Sequence, residues 1–287
     1  MEKIGFIGAG TVGTALAFRL RAKGYPIVAV YSRTPASAKR FSAMVDDSQV
    51  CSSSQEVADK ADLVFITTPD DAIGEAVSMV KWRKGQGVAH CSGADSLDIL
   101  EPARLEGALA GAFHPLQTFA SISYAIENIP GSTFAIEGSG EILHTLQGLA
   151  TSLGGSWILL KAEDKVLYHA SAVIACNYFV TLVKLSSDLW QELGLTSNVA
   201  IKALTPLLKG TLGNLNNLGL PNALTGPIAR GDLGTVRKHL DALEKRAPQL
   251  LSTYRELGLQ TIPIALARGR IDRKRAQDLR ELLGGKS

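Results

Sequence analysis

The chain has 287 residues, 46% hydrophobic and 20% charged, with a formal net charge of +3. That composition suits two globular domains with a sizeable core, and so small a charge gives no argument for a nucleic-acid partner. Cys51, Cys91 and Cys176 have no metal-like spacing and read as buried free thiols of a reducing cytoplasm. Residues 3–7 are predicted to form a short buried strand, so close to Met1 that no signal peptide is expected. Residues 14–23 have helical spacing and close on Gly24. A second strand is predicted at 27–31, a helix at 35–45 with Pro35 in its first turn, and a short helix near 55–59. A strand at 62–67, a helix at 71–80, and strands at 87–91 and 108–113 follow. Two more strands, 133–136 and 157–160, flank a helix at 140–153. Strands alternating with helices predict a doubly wound parallel sheet.

Strand signal ends near residue 160. One long helix is expected over 163–193, then helices at 198–218, 232–245, 247–257 and 272–283. The reading is an α/β domain over residues 1–160 and an all-helical domain over 161–287. The most apolar run, 166–183, contains His169, Asn177 and Thr181, which favours a buried core helix over a membrane span. The basic residues from Arg268 to Arg280 read as a solvated face of the last helix.

Gly8-x-Gly10-x-x-Gly13 lies between the first strand and the first helix, as a dinucleotide-binding turn requires. Gly8 permits the tight turn, Gly10 the approach of a pyrophosphate, and Gly13 the close packing of helix on strand. The backbone of Gly8, Ala9, Gly10, Thr11, Val12 and Gly13 would hold the phosphates at a helix N-terminus. The second strand ends in Tyr31-Ser32-Arg33-Thr34, with no acidic residue to hold a free ribose 2′-hydroxyl. Ser32, Arg33 and Thr34 instead suit a 2′-phosphate, so NADP is the expected cofactor. Thr68 and Pro69 follow the 62–67 strand and complete the cofactor set.

Ligands of such sheets bind beyond the carboxyl ends of the strands. Ser92 and His114 stand at two of those ends. His114, fixed by Pro115, can serve as a general acid or be a core histidine bonded to backbone. The long helix adds His169, Ser171 and Asn177. His169 and Asn177 are about 12 Å apart along the axis, so both cannot touch one reacting carbonyl. The catalytic candidates are therefore His114, His169, Asn177 and Ser92. Gln117, Ser171 and Arg230 are candidates for substrate binding, Arg230 for a carboxylate. No metal site is expected.

The N-terminal half resembles the Rossmann domains of pyrroline-5-carboxylate reductase, prephenate dehydrogenase and ketopantoate reductase. Over its length the chain resembles a bacterial family that joins a Rossmann-like domain to a helical domain of unassigned function. The segments that carry this resemblance are Gly8 to Gly13, His90 to Gly93, Phe113 to Phe119, Tyr168 to Ala172 and Leu224 to Asp232. It implies a Rossmann domain followed by an all-α domain like the C-terminal part of 6-phosphogluconate dehydrogenase. It also implies a soluble NADP-dependent oxidoreductase, pairing as a homodimer and acting on a small molecule, with a 2-oxo acid leading. One departure stands out. Ketopantoate reductases carry a helix lysine four residues before an asparagine, and here Val173 holds that place before Asn177. An imine reductase, which needs no strong acid, therefore stays open, as does an NADPH-sensing protein without catalysis.

Overall fold

The computed structural model describes residues 2–285. Its first half alternates strand and helix. β1 (Ile4–Ile7) leads into α1 (Thr11–Ala22), β2 (Ile27–Tyr31) into α2 (Pro35–Met44), and the two-residue β3 (Gln49–Val50) into α3 (Ser54–Lys60). Then come β4 (Leu63–Ile66), α4 (Ile73–Ser78), β5 (Gly87–His90), α5 (Glu101–Leu105) and β6 (Leu109–Leu116). After α6 (Ile122–Asn128), β7 (Thr133–Glu137), α7 (Gly140–Ser152) and β8 (Ser156–Leu159), strand structure ends among the described residues.

The eight strands form one sheet in the order β3-β2-β1-β4-β5-β6-β7-β8. The first six positions have the Rossmann order. The expectation of an all-parallel sheet needs one correction: β6 and β7 are antiparallel. The segment between them carries only the seven-residue α6, which packs against α1 and does not cross the sheet. Alternation along the strands sorts the core into two faces. One face stacks Phe6, Phe65, Phe113 and Phe134 in a row, with neighbouring ring centroids 5.4, 5.7 and 4.5 Å apart. Ala89 stands between Phe65 and Phe113 on the intervening strand, and its small side chain lets the two rings meet. The other face buries Ile7, Val64, Ile66 and Val88 under α3, α4 and α5.

The helix expected over 163–193 is built in pieces: α8 (Lys165–Ala172), a π turn at Val173–Asn177, and α9 (Tyr178–Gln191). The chain divides into two compact units after Asn177, although its last strand ends at Leu159. The added residues stay with the sheet because Lys165 and Tyr168 bond to its side chains. In the second unit α10 (Ser197–Leu218) is capped by Thr196, α11 (Leu233–Arg246) by Asp232 and α13 (Arg273–Gly284) by Asp272. α12 (Leu251–Ala267) runs ten residues beyond its predicted end, because Gly258 fits against Leu283 and Pro263 is absorbed inside the helix. Val236, Leu240, Ile262, Ala276, Leu279 and Leu283 form the core of this unit.

Two further expectations are corrected. Cys51 is buried, but Cys91 is partly exposed and Cys176, on the π turn, is exposed. The apolar run 166–183 is not buried within the chain. The stretch Ala162–Gln191 is long and apolar enough to cross a membrane by length and composition, and none of its most apolar window is buried. Val166, Leu167, Ile174, Tyr178 and Val180 are all more than half exposed. The apolar pattern there lies on exposed surface, which periodicity alone does not distinguish from core.

Candidate cofactor pocket and active site

The glycine loop is fixed from within at two of its three glycines. Gly8 has φ +111°, and a Cβ there would lie 2.5 Å from the Thr67 carbonyl carbon. Its N–H donates to the Tyr31 carbonyl at 2.8 Å, and its carbonyl accepts the Thr67 hydroxyl at 2.8 Å. A Cβ on Gly13 would lie 2.3 Å from that same hydroxyl oxygen. Gly10 is different. Its φ of −78° is open to any residue, and the nearest atom to an added Cβ is 4.0 Å away. The fold does not require glycine at Gly10, and its backbone is left open to an approaching ligand. No side chain caps α1 at Gly10, and no acidic residue stands in its first turn, so its leading N–H groups are available to an anion.

A cavity of about 420 Å³ opens beside this loop. It is lined by Gly8, Ala9, Gly10, Ser32, Arg33, Thr34, Thr68 and Pro69, all predicted from sequence. Thr11, Val12 and Gly13 lie on α1 outside its wall. Ser53, Ser54, Gln55, Glu75 and Met79 also line it and were not predicted. They come from the cap and first turn of α3 and from α4 and its C-terminal end, which only the strand order brings here. Arg33 is exposed at the rim and forms no ion pair among the described residues. The Thr68 hydroxyl oxygen is buried without a hydrogen-bond partner. An uncapped helix, an unneeded glycine, a free guanidinium and an orphaned hydroxyl together fit a phosphorylated dinucleotide.

Two of the four catalytic candidates, His114 and His169, meet at the sheet face carrying His90, His114 and Glu137. His90 is fully buried, and its Nδ1 accepts the Ser92 N–H at 3.1 Å. Burial, with the Lys165 charge next, pushes its pKa down to about 3. His114 Nδ1 lies 2.9 Å from the Tyr168 hydroxyl, and the His169 ring stands edge-on with centroids 6.0 Å apart. Burial, then the charges of His169 and Lys165, lowers His114 to about 4. Burial raises the Tyr168 phenol to about 12 and the Cys91 thiol to about 12. A Cβ on Gly93 would lie 2.6 Å from the His169 ring and 2.9 Å from His114 Nε2. Glycine at 93 is what lets the two rings close on the strand end.

The other candidates are placed differently. The Ser92 hydroxyl lies 2.9 Å from a carboxylate oxygen of both Asp70 and Asp95, and accepts the Asp95 N–H. Its one proton can serve only one carboxylate at a time, so Ser92 pins its own loop. Gln117 likewise braces its loop through Asn128, Ser132 and Thr118. Ser171 donates back to the Tyr168 carbonyl, and Asn177 is exposed two turns beyond His169. Arg230 belongs to the second unit.

Lys165 and Glu137 also belong to the cluster and were missed. The Lys165 ammonium is 3% exposed and pairs with Glu137 at 3.6 Å. Burial lowers its pKa, while Glu137 and then Asp95 oppose that shift. The signal for Lys165 was its spacing, since i, i+3 and i+4 put Lys165, Tyr168 and His169 on one helix face. Glu137 carried no comparable signal, because its place depends on the antiparallel register of β7.

A Rossmann-like domain model matches residues 1–115, and the model of a domain of unknown function, DUF2520, matches residues 132–261. A solved structure from Bacteroides fragilis, provisionally designated an NADP oxidoreductase, is 27% identical with a TM-score of 0.74, covering 91% of this chain and 98% of that one. A Thermotoga maritima protein is 25% identical with a TM-score of 0.75, covering 93% and 100%. A reductive aminase from Aspergillus terreus, solved with NADPH and ethyl levulinate, shares the fold at 18% identity and a TM-score of 0.67, covering 97% and 99%. No curated protein matches the chain. The chain thus joins a Rossmann-like domain to a DUF2520 domain.

Proposed function

We propose that this chain is an NADPH-dependent oxidoreductase that reduces a small carbonyl compound, with 2-oxo acids as the leading substrate class. The observation that carries the cofactor is Gly10, a glycine the fold leaves unexplained beside a cavity rimmed by Arg33. Structural relatives described as NADP oxidoreductases or solved with NADPH support the same assignment. The α1 N-terminus and the 8–10 backbone would hold the pyrophosphate, and Ser32, Arg33 and Thr34 the 2′-phosphate. NADPH supplies a hydride when bound.

His114 and its neighbours would orient the substrate. With the Tyr168 hydroxyl donating to Nδ1, the His114 proton sits on Nε2, on the side facing Gly93 and His169. A neutral imidazole N–H can polarise a carbonyl oxygen without being a strong acid. The Lys165 charge lowers the basicity of His114 and favours negative charge on a substrate oxygen. The depressed pKa of His114 also favours a second reading, a cyclic or condensed imine, whose iminium form needs no acid from the protein.

NADPH oxidation over a panel of 2-oxo acids and cyclic imines separates these readings. Turnover of a 2-oxo acid above the imines is the expected result. Turnover of imines alone would move the assignment to imine reduction. NADPH binding without oxidation of either class would leave a sensing role.

A homodimer belongs to the same proposal. α9 and α10 leave Val180, Val199, Ile201, Leu207, Leu212 and Leu218 exposed, more apolar surface than a monomer normally shows. Light scattering at micromolar concentration should give twice the chain mass, and a monomer would refute it.

A further inference from the structure

The second unit holds a cavity of about 220 Å³ lined by Thr225, Gly226, Ala229, Arg230, Arg268 and Arg270. Three arginines contribute to its lining, and none of its lining residues is acidic. Arg230, Arg268 and Arg270 form no ion pairs among the described residues. The nearby Asp232 carboxylate is held by the Thr235 N–H and hydroxyl and also feels the Arg230 charge, so it offsets part of one arginine. The C-terminus of α12, which ends at Ala267, offers only about half an elementary negative charge. That does not balance three arginine charges, so the cavity would attract an anion.

The cavity is also built. Arg268 Nη1 donates to the Leu224 carbonyl, which anchors its guanidinium to the wall. Gly226 has φ +96°, and an added Cβ there would meet nothing within 4 Å, so its backbone stands open to a ligand. Ala229, 2% exposed, forms an apolar base. At about 30 Å³ per water, the volume takes a group of several heavy atoms. We propose that this cavity is a binding site for an oxyanion group, a phosphate or a carboxylate carried on a small molecule. Arginine forks match both groups, and three of them favour a multiply charged ligand. The proposal stands on the second unit alone, whether or not the reductase reading holds.

Calorimetry on the full chain without NADPH tests it, at constant ionic strength in chloride. Inorganic phosphate is titrated in one arm and citrate in the other. The expected result is a dissociation constant of about 1 mM or tighter for at least one of them. The tighter arm identifies the phosphate or carboxylate source. Arg270→Ala should weaken that binding about tenfold, and Arg268→Lys, which keeps the charge but loses the fork, should weaken it by a smaller factor. NADPH affinity and melting temperature should hold in Arg270→Ala, so that a folding defect is not mistaken for loss of the site. No binding in either arm, or equal binding by both variants and the unchanged chain, would overturn the proposal.

Discussion

The glycine loop and the histidine cluster lie on one sheet, yet they are assembled in opposite ways. The loop is six consecutive residues supported from a distance by the Thr67 side chain and the Tyr31 carbonyl. The cluster draws His90 and Gly93 from one strand end, His114 from the next strand, Glu137 from an antiparallel neighbour, and Lys165, Tyr168 and His169 from a helix. A local device can be read from spacing, because its geometry is set by its own backbone. A distributed one needs the strand order and register first. The two also differ in charge logic. The loop offers dipoles and a free guanidinium to an anion, while the cluster buries an ion pair among neutral histidines.

Substitutions in the histidine cluster should cost the most activity. His114→Ala or His169→Ala, at least one, should lower turnover by about 10²–10⁴ once a substrate is found, with NADPH affinity unchanged. His114→Ala should have the larger effect, because His114 holds the Tyr168 hydroxyl and faces Gly93. Near-normal turnover in both variants would take the orienting role from the histidines and strengthen the imine reading.

Acid should then separate the two regions by stability. His90 and His114 stay neutral in the fold down to about 3 and about 4. In the unfolded chain their imidazoles take up protons below about 6.5. Between those values the unfolded state binds more protons, so stability falls as pH falls through that window. At pH 5 the loss is about 2 kcal/mol for each histidine relative to neutral pH. Denaturant unfolding at pH 7 and pH 5 measures it, and His114→Gln should remove about half of the difference. A stability independent of pH over that range would show that the cluster is not held neutral.

How much of this was legible follows from the same division. The strands of the first half were visible as short apolar runs, and Gly8, Gly13 and Pro35 marked real turns and helix starts. β3 was invisible, since two residues carry no pattern. The antiparallel β7 was hidden because alternation does not reveal strand direction. His114 and His169 could be found as polar residues at a strand end and in an apolar helix. Lys165 was not singled out, because lysines are almost never fully buried unless paired, and its partner Glu137 lies 28 positions away in sequence.

The loop can be tested for its one ligand-directed position. Gly10→Ala should keep the melting temperature, since nothing lies closer than 4.0 Å to the added methyl, yet weaken NADPH about tenfold or more. Gly8→Ala should instead lose stability, because its φ is +111° and the methyl meets Thr67 backbone at 2.5 Å. If both variants behaved alike, Gly10 would be a structural glycine, and the strongest argument for the dinucleotide would go with it.

The smallest expected effect lies at the pocket rim. Arg33 is exposed and unpaired, with Ser32 and Thr34 beside it, so a 2′-phosphate can be met by a guanidinium fork and two hydroxyls. A solvent-exposed charge pair is weakened by water and salt, which keeps its contribution near 1 kcal/mol and not several. Two hydroxyl contacts add to that, so NADPH should bind about tenfold tighter than NADH, or about 1.4 kcal/mol. The advantage should shrink as salt rises, because the Debye length falls to about 3 Å at 1 M. Arg33→Asp places a carboxylate where it repels the phosphate and can accept from a free 2′-hydroxyl, so the order should reverse. Calorimetric titration of both cofactors into both proteins measures all four affinities. Equal affinities in the unchanged chain would mean that the rim does not read the 2′ position at all, and Arg33 would be a solvated loop residue.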